Sequence, residues 1–169
     1  IGATEFLGYG LEQADGQVVA LVIGGEAVKT AEADDEVLIL TNQTPFYGES
    51  GGQQGDAGIL YNEGVEIKIV DTQKELGDLH VHVGRITRGR VSVGETVLMT
   101  VDPERRLGLR CHHSATHLLH AALRRNLGGH ITQKGSLVSP DRLRFDISHP
   151  KPITAEEINK VSKEVNQQV

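Results

Sequence analysis

Short runs of aliphatic and β-branched residues, separated by turn formers, dominate the first hundred positions of the chain. Strict alternation of polar and apolar residues, as in 65–69, is typical of a half-buried strand. The spacing predicts an antiparallel β-barrel or sandwich over residues 1–101. Strands are predicted at 18–23, 37–40, 65–69, 80–83, 90–93 and 96–101.

The pattern changes at residue 102. Asp102 suits an N-cap, Pro103 the first helical position and Glu104 the positive end of a helix, so a long helix is predicted from here to Gly128-Gly129. Residues 131–138 and 143–147 then predict a hairpin. Thr154 and Glu157 form a capping box before a second helix, which makes residues 102–169 α+β.

Two histidines four residues apart, His113 and His117, lie on one face of the first predicted helix. Imidazoles are good zinc ligands, but a catalytic zinc site takes about three protein ligands and a structural one about four. The pattern alone allows a solvated polar face or one wall of a cleft. The helix is predicted to carry an apolar face at Cys111, Ala115, Leu118, Leu119 and Ala122, and a polar face at His113, His117, His120 and Arg124.

Composition bounds the class of protein. The 169 residues are 38% hydrophobic and 24% charged, enough for one domain or two small ones. Neither an apolar run of about eighteen residues nor a signal-like start occurs, so no membrane segment is predicted. The single cysteine, Cys111, rules out an intrachain disulfide, and a cytoplasmic location is predicted. The missing initiator Met and the helical pattern at Val169 predict a segment of a longer protein.

The net charge of −6 conceals two regions of opposite sign. Residues 1–84 hold three basic and fifteen acidic residues, whereas residues 85–151 hold twelve basic and five acidic ones. Basic residues that converge in space attract phosphates. The second region is therefore either a nucleic-acid contact surface or an ordinary solvated surface.

The loop 44–58 carries five glycines within its last eleven positions, 48–58. Glycine lets backbone amides approach a ligand closely, because it tolerates positive φ and has no side chain. The loop lacks Gly-Lys-Ser/Thr and a following helix, so it is not an NTPase phosphate loop. A tight connection between strands is the structural alternative.

Six motifs stand out along the chain: TEFLGY from Thr4, TPFYGESGGQQGD from Thr44, VDPERR from Val101, HSATHLLHAALR from His113, QKGSLV from Gln133 and LRFD from Leu143. Taken together, they resemble the alanyl-tRNA synthetases over nearly the whole chain. The resemblance implies a mixed fold: a translation-protein-like β-barrel at 1–101, then the N-terminal part of an α+β editing domain of the threonyl/alanyl-tRNA synthetase type at 102–169. In that family the editing domain hydrolyses tRNA(Ala) mischarged with serine or glycine.

The resemblance also implies roles for single residues. His113 and His117 match the first two zinc ligands, and Thr116, Gln133 and Ser136 match positions around the editing pocket. In the family a later Cys-x-x-x-His pair completes the zinc site; this chain lacks it, so zinc is expected in the intact protein rather than in this segment. The other predicted site residues are Gly48, Gly51, Gly52 and Gln53 in the glycine-rich loop, and Arg124, Arg125 and Arg144 as RNA contacts.

The expected partner is the acceptor end of tRNA(Ala). ATP-dependent attachment of alanine, with ATP and magnesium, is expected of a catalytic domain that this chain lacks. Two alternatives stay open: a freestanding trans-editing aminoacyl-tRNA deacylase, and a noncatalytic RNA-contacting or folding module. A zinc protease is excluded, because Ser114 stands where that motif requires Glu. The oligomeric state is not predicted.

Overall fold

A computed structural model describes residues 2–168, so the outer ends of the two predicted domains, residues 1 and 169, lie outside it. The chain divides into two compact units. The barrel unit contains the residues up to Ser50 and Gln54–Arg106. The helix–hairpin unit contains the residues from Leu107 on and also Gly51–Gln53, three residues that the sequence pattern groups with the barrel.

Six antiparallel strands close the barrel, and this confirms the predicted fold class. Their order around the ring is β2 (Gln13–Ile23), β5 (Glu36–Thr41), β9 (Leu79–Ser92), β8 (Val65–Glu75), β7 (Gly58–Tyr61) and β10 (Thr96–Val101), and β10 pairs back onto β2. Closure leaves the ring without a free edge. The shorter strands outside the ring are β1 (Glu5–Phe6), β3 (Glu26–Val28), β4 (Thr30–Glu32) and β6 (Gln43–Thr44).

The predicted strands 80–83 and 90–93 are parts of one continuous strand, β9. The polar residues between them indicate a loop by composition. In the structure the strand continues through them with a β-bulge. Glu66 of β8 pairs with Arg88, whereas the next residue, Ile67, pairs with Ile86, so β9 has one extra residue at this place. The extra residue bends the strand without ending its pairing.

The barrel core is apolar and follows the alternation of the sequence. Val65, Ile67 and Ile69 on β8 are buried while their neighbours are exposed. One ion pair is also buried: Arg106 reaches the carboxylate of Asp56 with Nε at 3.0–3.1 Å and Nη2 at 2.5 Å. The same guanidinium donates to the carbonyls of Gly8 and Pro45, so its charge is fully coordinated.

The helix–hairpin unit is built from α1 (Pro103–Leu127, whose residues from Leu107 on belong to it), β11 (Thr132–Val138), β12 (Leu143–Ser148) and α2 (Ala155–Asn166). The predicted capping box is present, since Thr154 and Glu157 hydrogen-bond reciprocally. Its core is small and consists of Ala122, Leu123, Ile131 and Val161, with Leu119, Leu127, Phe145, Ile147, Ile153 and Val165 packed against it.

The predicted apolar face of α1 is wrong at one position. Cys111 is exposed, whereas Leu109, Thr116 and Leu123 are buried. The buried stripe therefore passes through positions seven residues apart, and Cys111 lies off it. In residues 2–168 no helix combines the length and apolar character needed to cross a membrane.

Candidate functional site

The helix α1 positions the two histidines of the predicted site. Its start is fixed by the Asp102 carboxylate, which accepts the backbone N–H groups of Glu104 and Arg105 at 3.0 Å each. The helix then runs without a break to Leu127. His113 and His117 consequently stand one turn apart on its exposed side.

The two imidazole rings converge. Their Nε2 atoms are 3.1 Å apart, and the ring centroids are 4.9 Å apart with a tilt of 54°. Two nitrogens bound to one tetrahedral zinc ion at about 2.0–2.1 Å each would lie roughly 3.3 Å apart. The pair therefore fits two ligand positions on a single metal ion.

A third residue, Gln53, contacts this pair. Its side-chain Oε1 lies 2.7 Å from Nδ1 of His113. An amide oxygen only accepts, so Nδ1 of His113 carries the proton and Nε2 keeps its lone pair. This is the tautomer that a metal ligand bound through Nε2 requires.

The glycine-rich loop does not act as one structure. Gly51–Gln53 pack in the helix–hairpin unit, where the Val138 amide donates to the Gly52 carbonyl at 2.7 Å. A Cβ on Gly52 would lie 2.3 Å from the carbonyl oxygen of Ser136, so Ser136 contacts the loop through its backbone. Gly48 belongs to the barrel unit, beside His80.

The predicted pocket residues Thr116 and Gln133 are placed differently from the histidine pair. Thr116 is buried, and its hydroxyl donates to the carbonyl of His112 at 2.8 Å. Gln133 is exposed on β11, opposite Ile147 of β12. Within residues 2–168, neither side chain hydrogen-bonds to His113 or His117.

The three arginines predicted as RNA contacts are exposed, and two are in ion pairs. Arg125 binds Glu164 at 2.5 Å and Arg144 binds Asp146 at 3.2 Å. Both arginine side chains remain 63% exposed. Such exposed ion pairs contribute only about 0–1 kcal/mol to stability. They would therefore not prevent either arginine from binding a phosphate in place of its carboxylate.

The ligand set for a metal ion is incomplete in the described chain. Across residues 2–168, no cluster of three or more His, Cys, Asp or Glu side chains that could hold a metal ion is found. His113 and His117 thus fit zinc as two ligands and leave at least one position to another group.

Other histidines of this unit have contacts that spacing alone does not predict. His130 Nε2 and His149 Nδ1 lie 2.9 Å apart, and the rings stack. His120 packs against Phe145, and its Nε2 is buried with no hydrogen-bond partner among residues 2–168. These contacts join α1 and its following loop to the hairpin, so only tertiary structure reveals them.

Comparison with known proteins gives the family of the chain. A family model described as tRNA synthetases class II (A) matches residues 1–105. The chain therefore belongs to the class II tRNA synthetase family.

The individual relatives are more specific. The chain is 57% identical to the alanine–tRNA ligase of Parvibaculum lavamentivorans over 167 residues, which are 98% of this chain and 19% of the relative. It is 57% identical to the alanine–tRNA ligase of Sphingopyxis alaskensis over 169 residues, and 56% identical to that of Granulibacter bethesdensis over 167. These alignments cover 99% and 98% of this chain and 19% of each relative. The predicted resemblance is confirmed, and the chain spans about a fifth of the length of these ligases.

Proposed function

We propose that this chain is a segment of an alanine–tRNA ligase, and that its helix–hairpin unit carries part of a site that hydrolyses mischarged Ser-tRNA(Ala) and Gly-tRNA(Ala). The observation that carries the proposal is the 3.1 Å convergence of the Nε2 atoms of His113 and His117. The remaining zinc ligand or ligands come from outside residues 2–168. ATP-dependent attachment of alanine to tRNA belongs to another part of the ligase.

A second hydrolytic site meets a chemical need. A synthetic pocket for alanine rejects serine poorly, because serine only adds a hydroxyl. A site that hydrogen-bonds that hydroxyl discriminates in the opposite sense, because alanine leaves its polar groups unpaired. Correctly charged tRNA then escapes hydrolysis.

Thr116 and Gln133 are the side chains proposed to recognise the serine hydroxyl. The Thr116 proton is already donated to the His112 carbonyl, so its oxygen accepts. Gln133 is exposed and offers both a donor and an acceptor. When bound, zinc supplies orientation of the aminoacyl group and activation of water.

The proposed partner is the acceptor end of tRNA(Ala), in the cytoplasm. Arg124, Arg125 and Arg144 would contact its phosphates. Arginine suits this role because its planar guanidinium binds phosphate oxygens in pairs.

One observation favours a noncatalytic role for the 169 residues in isolation, namely the absence of a third metal ligand within residues 2–168. Zinc content and deacylase activity of this chain alone, measured beside those of the longer ligase, separate the two roles. A freestanding trans-editing deacylase would show deacylation without attachment of alanine.

The proposal is tested with His113→Ala and His117→Ala in the longer ligase that contains this chain. Each is expected to lower zinc content and to slow hydrolysis of Ser-tRNA(Ala). The slowing should exceed the roughly 10- to 100-fold typical of changing a residue that only hydrogen-bonds to a metal ligand. Attachment of alanine should be unchanged. Ser114→Ala, at an exposed position on the same helix, is the matched control. Undiminished hydrolysis in both histidine variants would refute the proposal.

A further inference from the structure

The three residues Gly51–Gln53 pack with the helix–hairpin unit although the chain on both sides of them belongs to the barrel unit. They lie along β11: Gln53 forms a parallel bridge with Val138, and the Val138 amide donates to the Gly52 carbonyl at 2.7 Å. This backbone pairing fixes where the side chain of Gln53 begins.

Glycine is required at one point of this short segment. Gly52 has φ of +85°, and a Cβ there would lie 2.3 Å from the Ser136 carbonyl oxygen. A backbone atom held in a strand cannot move aside as a flexible side chain can. Gly51 has φ of +60°, and among the described residues other than its chain neighbours no atom lies within 4 Å of its Cβ position. Within Gly51–Gln53 the packing requirement therefore applies to Gly52.

The segment delivers a single polar side chain to the histidine pair. Gln53 Oε1 accepts the Nδ1 proton of His113 at 2.7 Å, and the opposite ring nitrogen faces His117. Metal-bound histidines characteristically donate their second ring N–H to an oxygen acceptor, which fixes both tautomer and ring orientation.

We infer that Gln53 is a positioning residue for a divalent transition-metal ion held by His113 and His117, and that Gly51–Gln53 is the segment that places it. The inference rests on the proposed function. It assigns to this part of the glycine-rich loop an effect on metal affinity, rather than direct contact with the aminoacyl group or with RNA.

The test is the zinc affinity of the longer ligase, measured by competition with a chelator, for four variants. Gln53→Ala removes the acceptor, and Gln53→Met removes it while keeping the length of the side chain. Both should lower zinc affinity by about 10- to 100-fold. Gln53→Glu restores an oxygen acceptor and should bind zinc at least as tightly as wild type. Gln54→Ala, at the neighbouring glutamine in the barrel unit, is the matched control and should have no effect.

A second measurement does not depend on activity. With Co²⁺ in place of zinc, the visible ligand-field spectrum reports the geometry at the metal; we expect it to change in Gln53→Ala and Gln53→Met and to return in Gln53→Glu. Circular dichroism confirms that each variant is folded. A Gln53→Met protein that is folded and has wild-type zinc affinity and spectrum overturns this inference alone. If His113→Ala and His117→Ala leave the zinc content of the ligase unchanged, the proposed function is overturned as well.

Discussion

His82 in the barrel unit and His113 in the helix–hairpin unit each use both ring nitrogens, but to different ends. His82 is fully buried, donates from Nδ1 to the Ile39 carbonyl at 2.9 Å and accepts the Thr44 hydroxyl at Nε2. His113 is exposed, donates from Nδ1 to Gln53, and directs Nε2 at another histidine. The hydrogen bonds of His82 satisfy both of its ring nitrogens inside the core. The hydrogen bond from His113 to Gln53 instead leaves the Nε2 lone pair of His113 directed toward Nε2 of His117.

The same contrast applies to charged groups. In the barrel unit the guanidinium of Arg106 is buried among one carboxylate and two carbonyls. In the helix–hairpin unit the side chains of Arg125 and Arg144 are mostly exposed. A buried pair whose members are fully coordinated is a structural feature, whereas exposed cations remain available to a ligand. The two units therefore differ in how they treat cationic side chains: the barrel unit encloses one in its interior, and the helix–hairpin unit leaves two at the surface.

The largest expected effect comes from breaking the buried ion pair of the barrel unit. Arg106→Met leaves the Asp56 carboxylate buried without its cation and should lower the free energy of unfolding by about 3–5 kcal/mol. Denaturant unfolding followed by tyrosine fluorescence measures this, because Tyr9, Tyr47 and Tyr61 all belong to the barrel unit and the chain has no tryptophan.

The matched control is Arg85→Ala, which removes an exposed ion pair with Asp34 in the same unit. Its expected cost is about 1 kcal/mol or less. If Arg106→Met were no more destabilising than Arg85→Ala, the barrel would not depend on its buried pair and the contrast between the units would be lost.

Sequence patterns predicted the fold well, because strands and helix ends are local. The alternation on β8, the N-cap at Asp102 and the capping box at Thr154 each depend on neighbouring residues, and all are present. The bulge that joins two predicted strands into β9 was missed, because it depends on pairing with β8. Local patterns therefore define the elements but not every boundary.

The candidate site was predictable only in part, for the same reason. The i, i+4 spacing of His113 and His117 is local, and their convergence agrees with it. Gln53 is sixty residues from His113 in sequence, and no periodicity links them. The partner of Arg106, Asp56, is fifty residues away and was likewise invisible to pattern.

The next effect is pH dependence of the barrel unit. Burial lowers the pKa of His82 from 6.5 to about 4. The folded state therefore resists protonation that the unfolded chain accepts below pH 6.5, so stability is complete above that pH and is lost as pH falls toward 4. Burial also lowers the pKa of His80, with a smaller contribution from Lys74, which acts in the same direction.

From His82 alone the expected loss between pH 7 and pH 4 is about 3 kcal/mol. Tyrosine-detected denaturant unfolding at both pH values measures it in wild type and in His82→Asn, which cannot titrate. The variant is less stable at pH 7 because the core is altered, but its loss on acidification should be smaller. Equal losses in the two proteins would show that His82 is not held neutral by burial, and would weaken its contrast with the exposed His113.

The smallest expected effect concerns the docking of Gly51–Gln53 in the helix–hairpin unit. In Gly52→Ala the alanine would have to adopt the positive φ of position 52, which costs about 1–3 kcal/mol for a residue with a side chain. Its methyl group would also collide with the Ser136 carbonyl oxygen. The segment should separate from β11, and the Val138 amide, which donates to Gly52, should exchange its hydrogen about 10-fold faster or more.

Gly51→Asn is the control, because asparagine tolerates positive φ and the space there is open. Barrel amides should keep their protection in both variants, since the strain lies in the other unit. If Val138 stayed fully protected in Gly52→Ala, the glycine would not be what allows this segment to dock, and the placement of Gln53 beside His113 would need another cause.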